Sequence, residues 1–174
     1  MGAKDVNAIT IGTCDVYIND QFVGYTGDEV VVNVARNLVE FFSGLPQVRV
    51  TAVVVKEEIS ATFEFKQIDA VNVSYALGKD GNVDPITVPG SAIVEVGGDT
   101  SIGLAHKLDL VHTFPDDRDL RITFWKAQPE ASFELAFNTG NFLGIKSKWL
   151  ALEDSTKAAG KRLMRIDIED EVKS

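Results

Sequence analysis

The sequence predicts a mainly β domain, a β-sandwich or barrel with one short α-helix packed on its flank. Three observations predict it. Polar and apolar side chains alternate with period two over most of the chain, the pattern of strands that bury one face. Turn clusters at Asn19-Asp20, Gly97-Gly98-Asp99, Pro115-Asp116-Asp117 and Asn138-Thr139-Gly140 cut that pattern into short segments. Only the stretch from Ala70 to Leu77 has convincing helical spacing. Many short strands with one helix make a sandwich or barrel covered on one side. With 174 residues, 45% hydrophobic and 25% charged, one domain can bury a core without metal or cross-links, and intrinsic disorder is excluded.

The first element is a hairpin. Cys14, Val16 and Ile18 share one face, Asn19-Asp20 turns the chain, and Phe22 to Tyr25 returns beside it. Farther on, the apolar set Val48, Val50, Ala52 and Val54 gives way to Val53, Val55, Ile59, Ala61, Phe63 and Phe65. The change of phase at Val53 to Val55 predicts a bulge or sharp bend. Ala35 to Gln47, with Leu38, Val39, Phe41, Phe42 and Leu45 ahead of Pro46, fits no alternation and reads as a loop with an apolar tip or a short helix. Such a cluster, left exposed, marks an association surface.

Asp69 caps the helix, Ala70, Val73 and Leu77 line one side, and Gly78 provides a left-handed stop. About nine residues is too short to stand alone, so the helix must lie on a sheet. Lys79-Asp80-Gly81-Asn82 is a turn, and Pro85 to Gly90 an irregular connection. Strands resume at Ser91 to Val96, Ser101 to Val111, Arg121 to Lys126, Ala131 to Phe137, Asn141 to Leu152 and Lys161 to Ile168.

The net charge is −9, and both halves, split at Thr87, are acidic. That argues against a protein that grips nucleic acid, since such binding is driven by Lys and Arg displacing counterions. Met1 to Thr10 lacks the pattern of a secretory signal, and the longest apolar runs fall far short of the roughly 20 residues of a membrane helix. A soluble chain made in the cytosol is expected, and a single cysteine, Cys14, fits a reducing compartment.

Residues suited to catalysis are few. His106 falls in register with Ile102, Leu104, Leu108 and Leu110 and reads as a histidine on a packed face. His112 lies near Asp109, Asp116 and Asp117, but its spacing from His106 matches no zinc pattern. Asp80-Gly81-Asn82-Val83-Asp84 begins like a calcium loop, then places Pro85 where the turn glycine belongs and Ser91 where the bidentate glutamate belongs. Cys14 has no basic neighbour to activate it. No phosphate loop or nucleophile elbow is present. The expectation is a protein with no catalytic residues, no metal site and no cofactor.

The order of elements resembles the tail tube protein, or major tail protein, of long-tailed bacteriophages. Three segments carry the resemblance: Thr13 to Gly27 (TCDVYINDQFVGYTG), a short hairpin; Val50 to Gly78 (VTAVVVKEEISATFEFKQIDAVNVSYALG), a long strand feeding a helix that stops at leucine-glycine; and Leu120 to Leu152, with Phe124-Trp125-Lys126-Ala127-Gln128-Pro129 and then a pattern around Trp149. Arg162 to Ile168 fits the closing strand, so the likeness spans Ile9 to Ile168.

The resemblance implies a structural subunit of the virion tail, made in the bacterial cytoplasm, that forms rings, typically of six, stacked into a tube for genome ejection. Its partners are copies of itself and other tail proteins such as the tape measure, terminator and distal tail proteins, with no membrane. DNA passes through without specific binding: six copies at −9 each carry about −54, a field that repels a polyanion. The polar face Lys56, Glu58, Ser60, Thr62 and Glu64, with Glu95, is the candidate channel lining. Leu38, Phe41, Phe42 and Leu45 are the candidates for contact with a neighbouring subunit or ring. Residues 1–8 and 167–174 are expected to order only on assembly. A solvated outer face explains the channel candidates almost as well, a loop folded back over its own core explains Phe41, Phe42 and Leu45 as readily as a contact does, and two other readings stay open. One is a tail terminator or completion protein that forms a single ring. The other is a monomeric carbohydrate-binding module using Tyr17, Tyr25, Trp125 or Trp149 as a stacking platform.

Overall fold

In the computed structural model, which describes residues 14–24, 26–27, 29–81, 84–85, 92–94, 103–130, 134–135 and 144–169, the alternating segments become strands. They are β1 (Asp15–Ile18), β2 (Gln21–Phe22), β3 (Val31–Ser43), β4 (Val48–Phe65), β5 (Asp84–Pro85), β6 (Ala92–Ile93), β7 (His106–Thr113), β8 (Asp119–Pro129), β9 (Glu134–Leu135), β10 (Ile145–Ala151) and β11 (Met164–Ile168). One helix, α1 (Ala70–Ala76), follows β4. Apart from the small β5–β6 pair, all belong to one antiparallel sheet in the order β2-β1-β7-β8-β10-β4-β3, with β11 on β8 and β9 on β10. Among the described residues the sheet ends at β2 and β3 and does not close, so the architecture is sandwich-like and not a closed barrel there.

The two halves of the sheet share one core. Val16, Ile18, Leu108, Leu110 and Phe124 from the β1-β7-β8 side meet Ile59, Ala61, Phe63, Phe65, Ile145 and Trp149 from the β4-β10 side. Trp149 lies parallel to Phe63, with ring centroids 6.3 Å apart. β8 ties the halves together along one edge: Leu120 to Phe124 pair with β11, and Ala127 to Pro129 pair with β10.

The first hairpin forms as its sequence dictates. Asn19 and Asp20 take φ of 51° and 65°, the left-handed pair whose twist matches that of the flanking strands. The return strand is short, pairing only Phe22 and Gln21 with Tyr17 and Ile18.

The phase change in β4 is a bulge within one continuous strand. Asn37 pairs with Lys56 and Leu38 with Val54, which leaves Val55 as the extra residue. A second shift, between Phe41 and Phe42, leaves out Val50. Ala35 to Gln47 is neither loop nor helix. It completes β3 through Ser43 and turns at Gly44 to Gln47, where Gly44 takes φ of 90° and the Leu45–Pro46 bond is cis. The alternation is invisible there because both faces carry apolar residues.

Asp69 caps α1 by accepting the Asn72 N–H at 2.8 Å, and Gly78, at φ 74°, ends it. The buried side is not the expected Ala70, Val73 and Leu77 but Asn72, Tyr75 and Ala76, with Ser74. Asn72 can be inside because its Nδ2 donates to the Val23 and Gln67 carbonyls at 2.8 and 2.9 Å, which satisfies a polar group that the pattern assigns to solvent. Asp167 and Ile168 of β11 pair with Arg121 and Leu120 of β8, and the Glu169 N–H donates to the Asp119 carbonyl at 3.0 Å. Residues 1–8 and 170–174 lie outside the described residues.

Candidate functional site

The outer half of β3 and β4 forms an arm. β10 pairs with β4 only as far as Ser60, opposite Leu150; beyond that point the one partner of β4 among the described residues is β3. The result is a two-stranded ribbon whose edges have no partner strand among the described residues. Register assigns its faces. Leu38 and Val54 lie on one side, together with Phe42; Val39 and Val53 lie on the other, together with Phe41. All six are exposed, Phe41 and Phe42 at 51% and 53%, and Leu45 at the turn is fully exposed. Val48, Val50 and Val55 add to the same surface.

A hairpin with no third strand is marginal in water, and one with apolar side chains on both faces gains nothing from solvent on either. The arm leaves large apolar side chains exposed on both of its faces. The four residues singled out for contact, Leu38, Phe41, Phe42 and Leu45, all lie on it. Val39, of the same cluster, belongs to it too, as do the valines at 48, 50 and 53 to 55, which the sequence pattern assigns to the apolar face of a strand instead. Their signal is the unbroken run Val53-Val54-Val55, which no half-buried strand needs. The charges on the arm come in pairs: Arg36 with Glu57 at 2.7 Å and Arg49 with Glu40 at 3.0 Å.

The candidate channel face is also a real face of β4, but it is charge-balanced rather than acidic. Lys56 meets Glu58 at 2.8 Å, and Lys66 meets Glu64 at 2.9 Å. The hydrogen bond and charge of Lys56 hold the Glu58 carboxyl below its ordinary range and raise the lysine in return. Lys146 and Lys148 of β10 stand directly across from Glu64 and Thr62, and Lys148 reaches Glu130 at 3.2 Å. Thr62 is exposed, Glu64 half-buried and Ser60 buried, so the usable polar surface runs along Lys56, Glu58 and Thr62. Glu95 lies outside the described residues.

No protein-family model matches the chain, and no curated protein does.

The remaining candidates are absorbed by packing. Trp149 is completely buried. Trp125 carries the Lys157 ammonium 4.0 Å over its ring and donates its indole N–H to the Lys161 carbonyl at 3.0 Å, while Tyr17 leans on Phe22. These aromatics offer no common platform, and Tyr25 lies outside the described residues. His106 is buried beside Tyr75 and Trp149, with Asn19 Nδ2 2.9 Å from its Nδ1. Asn19 Oδ1 accepts the Lys107 N–H at 3.0 Å, so its amide nitrogen faces the ring as donor and Nδ1 is the acceptor of a neutral imidazole. Burial also lowers the affinity of this ring for a proton. Cys14 is half-buried, and burial, aided by the Asp15 charge, pushes its thiol up to about 12, far from a nucleophile at neutral pH. Among the described residues no three His, Cys, Asp or Glu side chains converge to hold a metal ion, and no helix is long and apolar enough to cross a membrane.

Proposed function

We propose that the chain is a structural subunit that assembles with copies of itself into stacked rings, a tube of the kind built by the tail tube proteins of long-tailed bacteriophages. The observation that carries this reading is the β3–β4 arm, a ribbon with free edges and large apolar side chains on both faces. Burying the half-exposed Phe41 and Phe42 and the fully exposed Leu45 against a neighbour gains at most about 1.5–3 kcal/mol each before association costs. An arm on one part of a subunit that docks elsewhere on the next makes a head-to-tail contact, and such contacts propagate into rings or filaments. The sandwich-like sheet with one short helix, and a β4 strand that runs from the shared core out into the arm, suit a wall element better than a binding cleft.

In this reading the β4 polar face borders the channel. Its lysines are matched by glutamates, so it offers DNA no surplus of cations to hold, and the net charge of −9 per chain supplies the repulsion from the rest of the wall. Sedimentation of the purified protein over a concentration series tests the assembly claim. Species many times the 19.0 kDa chain are expected; a single 19.0 kDa species at every concentration overturns it.

A further inference from the structure

The segment from Thr156 to Ile166 carries Lys157, Lys161, Arg162 and Arg165 and no acidic residue, in a chain with 26 Asp and Glu against 17 Lys and Arg. Hydrogen bonds close it into a fixed loop. The Asp154 N–H donates to the Arg162 carbonyl at 3.0 Å, the Lys161 N–H to the Ala158 carbonyl at 3.0 Å, and Arg162 Nε to the Lys157 carbonyl at 3.2 Å. The Trp125 indole, bonded to the Lys161 carbonyl, anchors the loop on β8. Between them lies a depression of about 620 Å³, bordered by Trp125, Met164, Lys157, Lys161 and Arg165 and, among the described residues, by no carboxylate. The cations around it are neutralised: Arg162 by Glu153, Arg165 by Asp167 and Lys126 by Asp154. Lys157 and Lys161 have no carboxylate partner among the described residues, and the Lys157 ammonium sits on the indole face instead.

We propose that this depression takes an acidic peptide segment of a partner protein, with Lys157 and Lys161 pairing with its carboxylates and Trp125 and Met164 packing against its apolar side chains. An ammonium is a compact point charge that suits a single carboxylate, whereas the guanidiniums that would grip a phosphate as a fork are already held by Glu153 and Asp167. Range decides against a nucleic acid. At physiological salt a charge is felt over roughly 8 Å, so a short segment meets the two lysines, while a long polyanion must also lie against a chain of net charge −9. The adjoining depression, joined through Gly160 and Met164, balances Arg36 and Arg162 with Glu57 and Glu153 and so extends no cationic track. Because the loop is fixed beforehand, little of the binding energy goes into ordering it. Trp125, Lys157, Lys161 and Met164 all lie off the arm, so the site is separate from the assembly reading.

Fluorescence anisotropy tests it with three labelled probes: a peptide that intersperses glutamates with leucines, the same peptide with glutamine for glutamate, and a thymidine oligonucleotide of matched charge. The glutamate peptide is expected to bind, more weakly as salt rises, and to perturb the emission of Trp125, the tryptophan that is not sealed in the core. Lys157→Gln and Lys161→Gln are each expected to weaken binding about two- to fivefold, and Lys157→Glu with Lys161→Glu to abolish it, at unchanged thermal unfolding. If a change at Lys157 disturbs the packing of Trp125, Lys161→Gln alone, at an exposed position, decides. Equal binding of the glutamine peptide, tighter binding of the oligonucleotide, or undiminished binding by Lys161→Gln overturns the proposal. So does self-assembly of the parent that Lys161→Gln abolishes, which hands the depression to a second copy and leaves the assembly reading standing.

Discussion

Arg49 on one strand of the arm meets Glu40 on the other at 3.0 Å, among the exposed apolar side chains of its outer part. Both side chains are about half exposed in the single chain, where such a pair contributes at most about 1 kcal/mol. Buried under a neighbour, either charge without the other is costly. Glu40→Gln is therefore expected to shift the denaturation free energy of the monomer by less than about 1 kcal/mol and to weaken assembly far more, with Arg49→Met in the same chain restoring it. Urea titration and sedimentation of the three proteins measure the two effects separately; a parallel loss of monomer stability and assembly contradicts the argument.

Phe41→Ser and Phe42→Ser act on exposed side chains of the ribbon's two faces. Each is expected to leave the thermal unfolding of the core unchanged and to abolish or sharply reduce the large species in sedimentation. Assembly equal to that of the parent in both variants contradicts a role for the arm.

Trp149 lies at the centre of the core, stacked on Phe63 and edge-on to His106. Trp149→Ala is expected to cost about 3–5 kcal/mol in urea unfolding. A loss below about 1 kcal/mol, within the range of a surface change, contradicts its placement inside.

His106 makes stability depend on pH. Burial holds the folded ring below its ordinary value of 6.5, partly opposed by the Asp80 charge and a backbone hydrogen bond at Lys79, while Tyr75, Trp149 and Asn19 pack against it. The unfolded chain then takes up a proton that the folded chain refuses. Its contribution is full above pH 6.5 and falls as the pH drops below that value toward the folded one. Unfolding midpoints between pH 7.5 and 5.5 are expected to decline less in His106→Gln than in the parent; equal slopes contradict the assignment.

Reversing Glu58 and Glu64 to lysine removes the partners of Lys56 and Lys66 and leaves the β4 face strongly cationic. Assembly is expected to persist, and the assembled protein is expected to retain duplex DNA with a binding constant that falls steeply as salt rises. Absence of salt-dependent retention removes this face from the channel wall.

Local rules made much of this fold legible. Asn19-Asp20 supplied a turn with two left-handed residues, Asp69 and Gly78 bounded α1, and the phase change at Val53 to Val55 located the bulge of β4. What the sequence concealed depends on distant partners. Asn72 looks solvent-facing until the Val23 carbonyl arrives from the first hairpin. The β4 face looks acidic until β10 brings Lys146 and Lys148 across from Glu64 and Thr62, a register that no local pattern reveals. Leu38, Phe41, Phe42 and Leu45 stood out as an unexplained apolar cluster, but a strand with no dry face has no period, so their arm was unreadable as β structure.

Negative-stain electron microscopy of the purified protein tests the central claim most directly. Tubes with a regular axial repeat are predicted. Rings that never stack point instead to a terminator, and isolated single chains at every concentration contradict an assembling subunit altogether.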